Sequence, residues 1–270
     1  MKKSDTLTPI GIIGGTILIL FGMSIGGTDL TVFYNLTAIL ITVGGSFCAL
    51  IITYSLEELK DIGKIFKQSF KRDNTSCKII LSQFIGVSKK ARIEGLLSLE
   101  DNLVEFQDSF MQKGLQMVID GVEPEVIKEV MNLEIDEAEA RHKVGINIFK
   151  TWANYAPAFG MIGTLVGLIQ MLGSGMSDVS SITIGMAKAL VTVFYGVLLS
   201  NLLLLPTAQN LNVKSEKETK VKEMMLEGIL LIQSGASAGI IEEKLIAYLS
   251  PKERLELIKE KTALKQEEVI

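Results

Sequence analysis

The sequence predicts an all-α integral membrane protein with four transmembrane helices and a large helical cytoplasmic domain. Three observations predict it. The apolar residues of this 270-residue, 48% hydrophobic chain concentrate in two blocks, roughly 8–54 and 146–206. Each block holds two runs close to the about 20 apolar residues that cross a bilayer core. The remainder is charged, with apolar residues at helical spacing and no strand alternation, repeat or low-complexity stretch.

The first span is expected at Pro9 to Gly27, the second at Val32 to Tyr54, the third at Thr151 to Leu172 and the fourth at Ile182 to Leu205. Lys2 and Lys3 before an apolar run superficially resemble a signal peptide, but no A-x-A-like site follows and a second apolar run comes at once. The connectors around Thr28 to Thr31 and Gly173 to Ser181 contain no Lys or Arg. Leu56 to Lys150 contains fourteen basic residues and the tail after Pro206 contains ten. The positive-inside rule then puts both termini and the long loop in the cytoplasm. The expected organisation is 1–54 for the first two spans, 55–146 for a cytoplasmic helical domain, 147–206 for the last two spans and 207–270 for cytoplasmic C-terminal helices.

Outside the membrane, helical spacing covers Leu56 to Phe70, Lys78–Ala91, Leu99–Gly114, Pro124–Glu139 and the block from Lys214 to Ile270, with Asn74, Gly121 and Pro251 as punctuation. The net charge of −4 gives no basic field for nucleic acid. Cys48 lies in an apolar run and Cys77 in a polar segment, which is no disulfide framework. His142, the only histidine, sits among charges and reads as a surface residue. No Cys/His cluster has metal-ligand spacing, and Gly160-x-x-Gly163 lacks the Lys-Ser/Thr of a phosphate loop. The residues give no support to enzyme chemistry, a cofactor or a resident metal.

Within the spans, Gly11 and Gly15, Gly22 and Gly26, and Gly163 and Gly167 have the small-xxx-small spacing that lets helices approach closely, within one chain or between copies. Pro157 lies inside the third span and leaves the carbonyl of Ala153 without its usual donor, so in lipid that carbonyl needs a substitute. Pro206 reads as the stop of the fourth span. Thr164 and Thr192 lie near mid-helix, where each hydroxyl faces a bundle path or bonds its own helix. Lys188, about 9 Å from the outer end of its helix, is expected to snorkel outward. No Asp or Glu lies within any span, so an ion route through this chain needs a carboxylate from another subunit.

Pro157-Ala-Phe-Gly-Met-Ile-Gly-Thr-Leu-Val-Gly167, Met186-Ala-Lys-Ala-Leu-Val-Thr-Val-Phe-Tyr-Gly196 and Ser200-Asn-Leu-Leu-Leu-Leu-Pro206 resemble the core of flagellar stator A subunits, the MotA/PomA class of the MotA/TolQ/ExbB superfamily. Ala91-Arg-Ile-Glu-Gly-Leu-Leu-Ser-Leu-Glu100 resembles that class's torque-generating segment, and Glu227-Gly-Ile-Leu-Leu-Ile-Gln-Ser-Gly235 its C-terminal helix. The resemblance implies a homo-oligomer, a pentamer around a dimer of B-type subunits. Each B subunit would carry a transmembrane Asp and a peptidoglycan-binding domain. Ion flow would turn the ring against a FliG-type rotor switch complex, from the bacterial inner membrane. It implies that Arg92 and Glu100 face the rotor, with Lys89, Lys90 and Glu94 as weaker candidates. It also implies that Pro157, Thr164, Thr192, Tyr195 and Pro206 serve the ion path and its coupling. Sodium-driven members show Thr-Thr where this chain has Thr192-Val193, and a hard cation wants several oxygen ligands. The expected ion is therefore H+ rather than Na+. An ExbB/TolQ-type energiser, with three spans, and a non-conducting membrane scaffold are the alternatives.

Overall fold

A computed structural model describes residues 7–25, 27, 29–71, 76–106, 108–173 and 179–267. Lys2, Lys3, Gly26, Asn74 and residues 174–178 of the second connector lie outside them. Among the described residues the chain is helical throughout and contains no strand element. It divides into two compact units: Met1–Arg72 with Arg141–Lys214, and Asp73–Ala140 with Ser215–Ile270.

Four helical stretches are long and apolar enough to cross a membrane: Leu7–Ile25, Leu30–Thr53, and parts of Pro124–Gly173 and Ile182–Gln233. The first is helix α1, Leu7–Ile25. The second starts as a 3-10 turn at Leu30–Phe33 and then becomes a continuous rod from Leu36 to Thr53. That rod is α2, Leu36–Ile39, a π segment at Leu40–Gly44, and α3, Gly45–Thr53. The regular helix therefore begins later than the hydropathy suggests. Asn35 caps it, its side chain accepting from the N–H of Ala38.

Beyond the second span, the expected single helix from Leu56 to Phe70 is two: α4, Leu56–Lys60, and α5, Ile62–Ser69. Ser55 and Glu58 form a capping box at the start of α4. Helix α5 is amphipathic. Its Ile62, Ile65 and Phe66 pack onto Ile146, Phe149, Ala153, Leu204 and Leu211, the core of this unit. Lys214 closes the end of α5 by donating to the carbonyls of Ser69 and Lys71, both at 2.5 Å.

The other unit is built on α6, Cys77–Glu94; a 3-10 helix, Leu96–Glu105; α7, Ser109–Ile119; and the start of α8, Pro124–Gly173. It is completed by the end of α10, Leu205–Gln233; α11, Ala238–Leu245; and α12, Pro251–Glu267. Its core includes Phe84, Met111, Leu115, Ile127, Met131, Met224, Ile229 and Ile241, all buried. Each such side chain contributes about 1.5–3 kcal/mol by leaving water. The expected single helix over Leu99–Gly114 is broken, because Asp108 turns extended and caps α7, accepting from the N–H groups of Phe110 and Met111. Gly121 and Gly235, at φ 72° and 71°, end α7 and α10 in left-handed turns.

Pro206 does not stop the helix of the fourth span. Helix α9, Val179–Leu198, passes through a π segment, Leu199–Leu204, into α10, which continues to Gln233. The N–H of Leu205 reaches back to the carbonyl of Ser200, five residues away. The wider turn shifts the bonding register just ahead of Pro206, where the ring has no N–H to contribute.

Candidate functional site

The third and fourth spans approach each other through small residues. A Cβ on Gly163 would lie 2.0 Å from the Thr192 methyl, and one on Gly167 would lie 3.1 Å from the Ala189 Cβ. A Cβ on Gly196 would meet the carbonyl oxygen of Ala156 at 2.6 Å and the Cα of Pro157 at 3.0 Å. The Gly163–Gly167 spacing thus serves packing within one chain. Gly15 packs against Leu202, whereas Gly11 and Gly22 face open space within 4 Å.

Pro157 sits inside α8, and its effect on the backbone is resolved by a side chain. The Ser200 hydroxyl donates to the carbonyl of Ala153 at 2.8 Å, in a buried position. Ser200 belongs to the π segment that precedes Pro206. One hydrogen bond therefore joins the turn opened by Pro157 to the turn that accommodates Pro206. Sequence reasoning demanded a donor for Ala153 but did not name this one. The signal was Ser200 itself, a hydroxyl beside Asn201 in a run of leucines.

Thr192 is fully buried, and its hydroxyl donates to the carbonyl of Lys188 at 2.6 Å. The Thr192 carbonyl in turn accepts from the hydroxyl of Thr42 on the second span at 3.2 Å. Thr164 donates to Gly160 of its own helix at 3.2 Å and lies 3.3 Å from the carbonyl of Ala189 on the fourth span. Both hydroxyl protons point at backbone, and the oxygen lone pairs are what they can offer an ion or water. Tyr195 donates to the carbonyl of Phe33 and accepts from the N–H of Asn35 at 3.3 Å, so it pins the entry of the second span to the fourth. Lys188 reaches the side-chain oxygen of Gln170 on the neighbouring span at 2.8 Å instead of standing free at the outer end. At the other end of these helices, Trp152 donates to Ser46 at 3.1 Å and Tyr54 pairs with Thr151 at 3.0 Å.

The charged candidates lie in the other unit, on either side of a turn. Arg92 is in the last turn of α6 and Glu100 in the following 3-10 helix. Gly95 between them adopts φ 86° and ψ 166°, a conformation open essentially to glycine alone. Arg92, Glu100, Glu94 and Lys89 are exposed. Lys90 lies 3.9 Å from Glu94, a surface contact worth little to stability. Among the described residues, neither Arg92 nor Glu100 takes part in an ion pair. The same turn carries Ile93 and Leu97, large apolar side chains standing in solvent. Helical spacing could not have found these two, since it does not say which residue a turn will expose.

Four apolar helical spans, two of them glycine-packed and bonded at a proline kink, define a multi-pass membrane subunit with a helical domain attached. A family model described as the MotA/TolQ/ExbB proton channel family matches residues 102–224. Motility protein A of Borreliella burgdorferi is 43% identical over 88% of this chain and 92% of its own length. Chemotaxis protein PomA of Vibrio alginolyticus is 34% identical over 93% of this chain and 97% of its own. In structure, the chain is similar to one in the flagellar MotAB stator complex from Bacillus subtilis. The TM-score is 0.88 at 33% identity, covering 94% of this chain and 99% of that one. The chain belongs to the motility protein A class of the MotA/TolQ/ExbB proton channel family. That family is one of stator and ion-channel subunits rather than of enzymes.

Proposed function

We propose that this chain is the A subunit of a flagellar stator, converting ion flow into torque on a rotor. The observation that carries the reading is the near full-length likeness to a chain of a flagellar stator complex, in a protein whose four spans hold no carboxylate. The titrating group is then an Asp on the single span of a B-type subunit, whose outer domain grips peptidoglycan. The A chains form a homo-oligomer, a pentamer, around a B dimer. Both termini, 55–146 and 207–270 lie in the cytoplasm of a bacterial inner membrane, where their many lysines and arginines favour them. One elementary charge crossing 100 mV supplies about 2.3 kcal/mol for the turning step.

In this reading the Pro157 and Pro206 turns couple ion binding to helix movement, with Thr164, Thr192 and Tyr195 beside the path. Arg92 and Glu100 face a FliG-type rotor ring. The ion is H+, because Val193 stands where a second hydroxyl would complete a sodium shell. The test is co-expression with a B-type partner in a host lacking its own stator. Rescued swimming that survives sodium removal at fixed pH, and stops when the proton gradient is collapsed, is the expected outcome. Swimming abolished by sodium removal overturns the choice of ion. Neither rescue nor ion-dependent growth inhibition would make the chain a non-conducting scaffold.

A further inference from the structure

The segment that follows the second span, α4 and α5, is tied at both ends to one rim of the membrane spans. At its start, Tyr54 pairs with Thr151 at 3.0 Å and Thr53 with Tyr155 at 3.1 Å, and Leu56 opens α4 directly after. At its end, the buried Ser69 hydroxyl donates to the Asn210 side-chain oxygen at 3.3 Å. Asn210 in turn donates to the hydroxyl of Thr8, in the first turn of α1, at 3.1 Å. The segment thus leaves the second span and returns to the base of the first, so it runs along the rim instead of projecting from it. Tyr54, Tyr155 and Trp152 mark that rim as the level where aromatic side chains meet lipid headgroups. One face of α5 is closed: Ile62, Ile65 and Phe66 pack onto the cluster that contains Phe149 and Ala153.

The other face is open and basic. Lys60, Lys64, Lys67 and Lys71 recur at intervals of four, three and four residues, which puts them on one side of a helical segment, and all four are exposed. The acids of the segment sit at its start. Glu58 is folded into the capping box, Asp61 pairs with Lys64 at 2.7 Å, and Glu57 stands exposed beside them. Among the described residues, Lys60, Lys67 and Lys71 take part in no ion pair. Ahead of the lysines the exposed side chains are apolar: Ile52 at 88% in the last turn of the second span and Leu56 at 68% in the first turn of α4. A bilayer presents hydrocarbon and then phosphate, and the exposed surface changes from apolar to basic in that order. A folded protein contact would want an apolar centre among the charges, and past Leu56 this segment exposes no large apolar side chain. We propose that Lys60, Lys67 and Lys71 seat the headgroups of anionic lipids in the cytoplasmic leaflet. This rests on the cytoplasmic placement of 55–146 proposed above. Lysines clustered on an amphipathic helix immediately beside a span are drawn to such a surface. Because α5 packs on Ala153, whose carbonyl Ser200 serves, the bound headgroups brace the third span at its kink.

The experiment uses the full chain co-purified with a B-type subunit, in discs of phosphatidylcholine alone or mixed with phosphatidylglycerol. The wild-type complex is expected to unfold several degrees higher in the mixed discs, because a ligand held by the folded state raises the midpoint. Raised salt should shrink the difference. In Lys60→Gln/Lys67→Gln/Lys71→Gln the difference should vanish, and in Lys60→Arg/Lys67→Arg/Lys71→Arg it should persist. Amine acetylation of the wild type, read by peptide mass spectrometry, localises the effect and decides the matter should the Gln variant fail to fold. Lys60, Lys67 and Lys71 should react several-fold more slowly in the mixed discs, and the exposed Lys89 at an unchanged rate. Equal midpoints in both discs, equal acetylation in both, or a difference that survives in the Gln variant overturns the proposal. So does a shift produced in phosphatidylcholine discs by inorganic phosphate, which would make the stripe a site for the free ion. A Gln variant with an altered number of A chains per complex in phosphatidylcholine discs would make the stripe a contact between copies, and equally overturns it. None of these readouts needs ion flux or motility. Their failure leaves the stator reading standing, and failure of the swimming test leaves the lipid site standing.

Discussion

Ser200 donates its hydroxyl to the carbonyl of Ala153, the one carbonyl in the third span that Pro157 deprives of a backbone donor. The bond is buried, so its loss cannot be made good by bulk water. Ser200→Ala is expected to lower stability by about 1–3 kcal/mol, the cost of an unpaired buried acceptor. Thermal unfolding of the purified complex in lipid discs measures it. In a Pro157→Ala background residue 157 regains its N–H, and the same substitution should cost much less. An equal cost in both backgrounds would show that Ser200 does not stand in for the missing donor.

The glycines of the spans should separate into two groups by what surrounds them. Gly196→Ala places a methyl 2.6 Å from a backbone oxygen and 3.0 Å from a backbone carbon, neither of which can swing aside. The third and fourth spans must then move apart, and assembly yield and motility should both fall sharply. Gly11→Ala meets nothing within 4 Å and gains up to about 1 kcal/mol of helix propensity. It should be silent unless a neighbouring subunit packs there. Gel filtration of the two variants, purified side by side, checks the contrast.

The spans were legible in the sequence because lipid imposes length and hydropathy on them whatever they pack against. The need of Ala153 for a donor was legible too, since it follows from the proline ring alone. The donor was not, because Ser200 comes from another span, 47 residues away. Pro206 was misread as a stop because the π turn that admits it depends on register and not on residue type. The break before α7 was available in Asp108-Ser109, a capping pair that the apolar spacing of Leu99–Gly114 masked. The bonds of the Tyr195 oxygen to Phe33 and Asn35 were not legible either, because spacing along one helix cannot reveal a contact with another span.

Helix α12 should respond to acid through one carboxylate. Glu253 forms a capping box with Ser250, accepting from its N–H at 2.9 Å and its hydroxyl at 2.8 Å, and it accepts from Ser76 at 3.4 Å. The Ser250 N–H is the main cause that holds its pKa below the ordinary carboxylate value; partial burial opposes this, and the two hydroxyls and Lys220 add to it. A depressed folded-state pKa means the stabilisation is fully present above the ordinary value and is lost as pH falls through the depressed one. Amide-exchange protection of the first turn of α12 should drop over that window. In Glu253→Gln it should be lower from the start and flat with pH; an unchanged acid transition in that variant would assign the effect to another group.

Charge reversal at the Gly95 turn separates torque from conduction. Arg92 and Glu100 are exposed and sit outside the four apolar spans. Arg92→Glu or Glu100→Arg should therefore leave thermal stability within about 0.5 kcal/mol of wild type, as for surface positions without special contacts. Ion flux through the complex with a B-type subunit should likewise persist. Rotation should fall in each single variant, because reversing a steering charge turns attraction into repulsion at first encounter. A reversed residue on the partner surface should restore it in part. If ion flux and rotation fell together, the two side chains would be acting on the membrane unit and not at a contact surface.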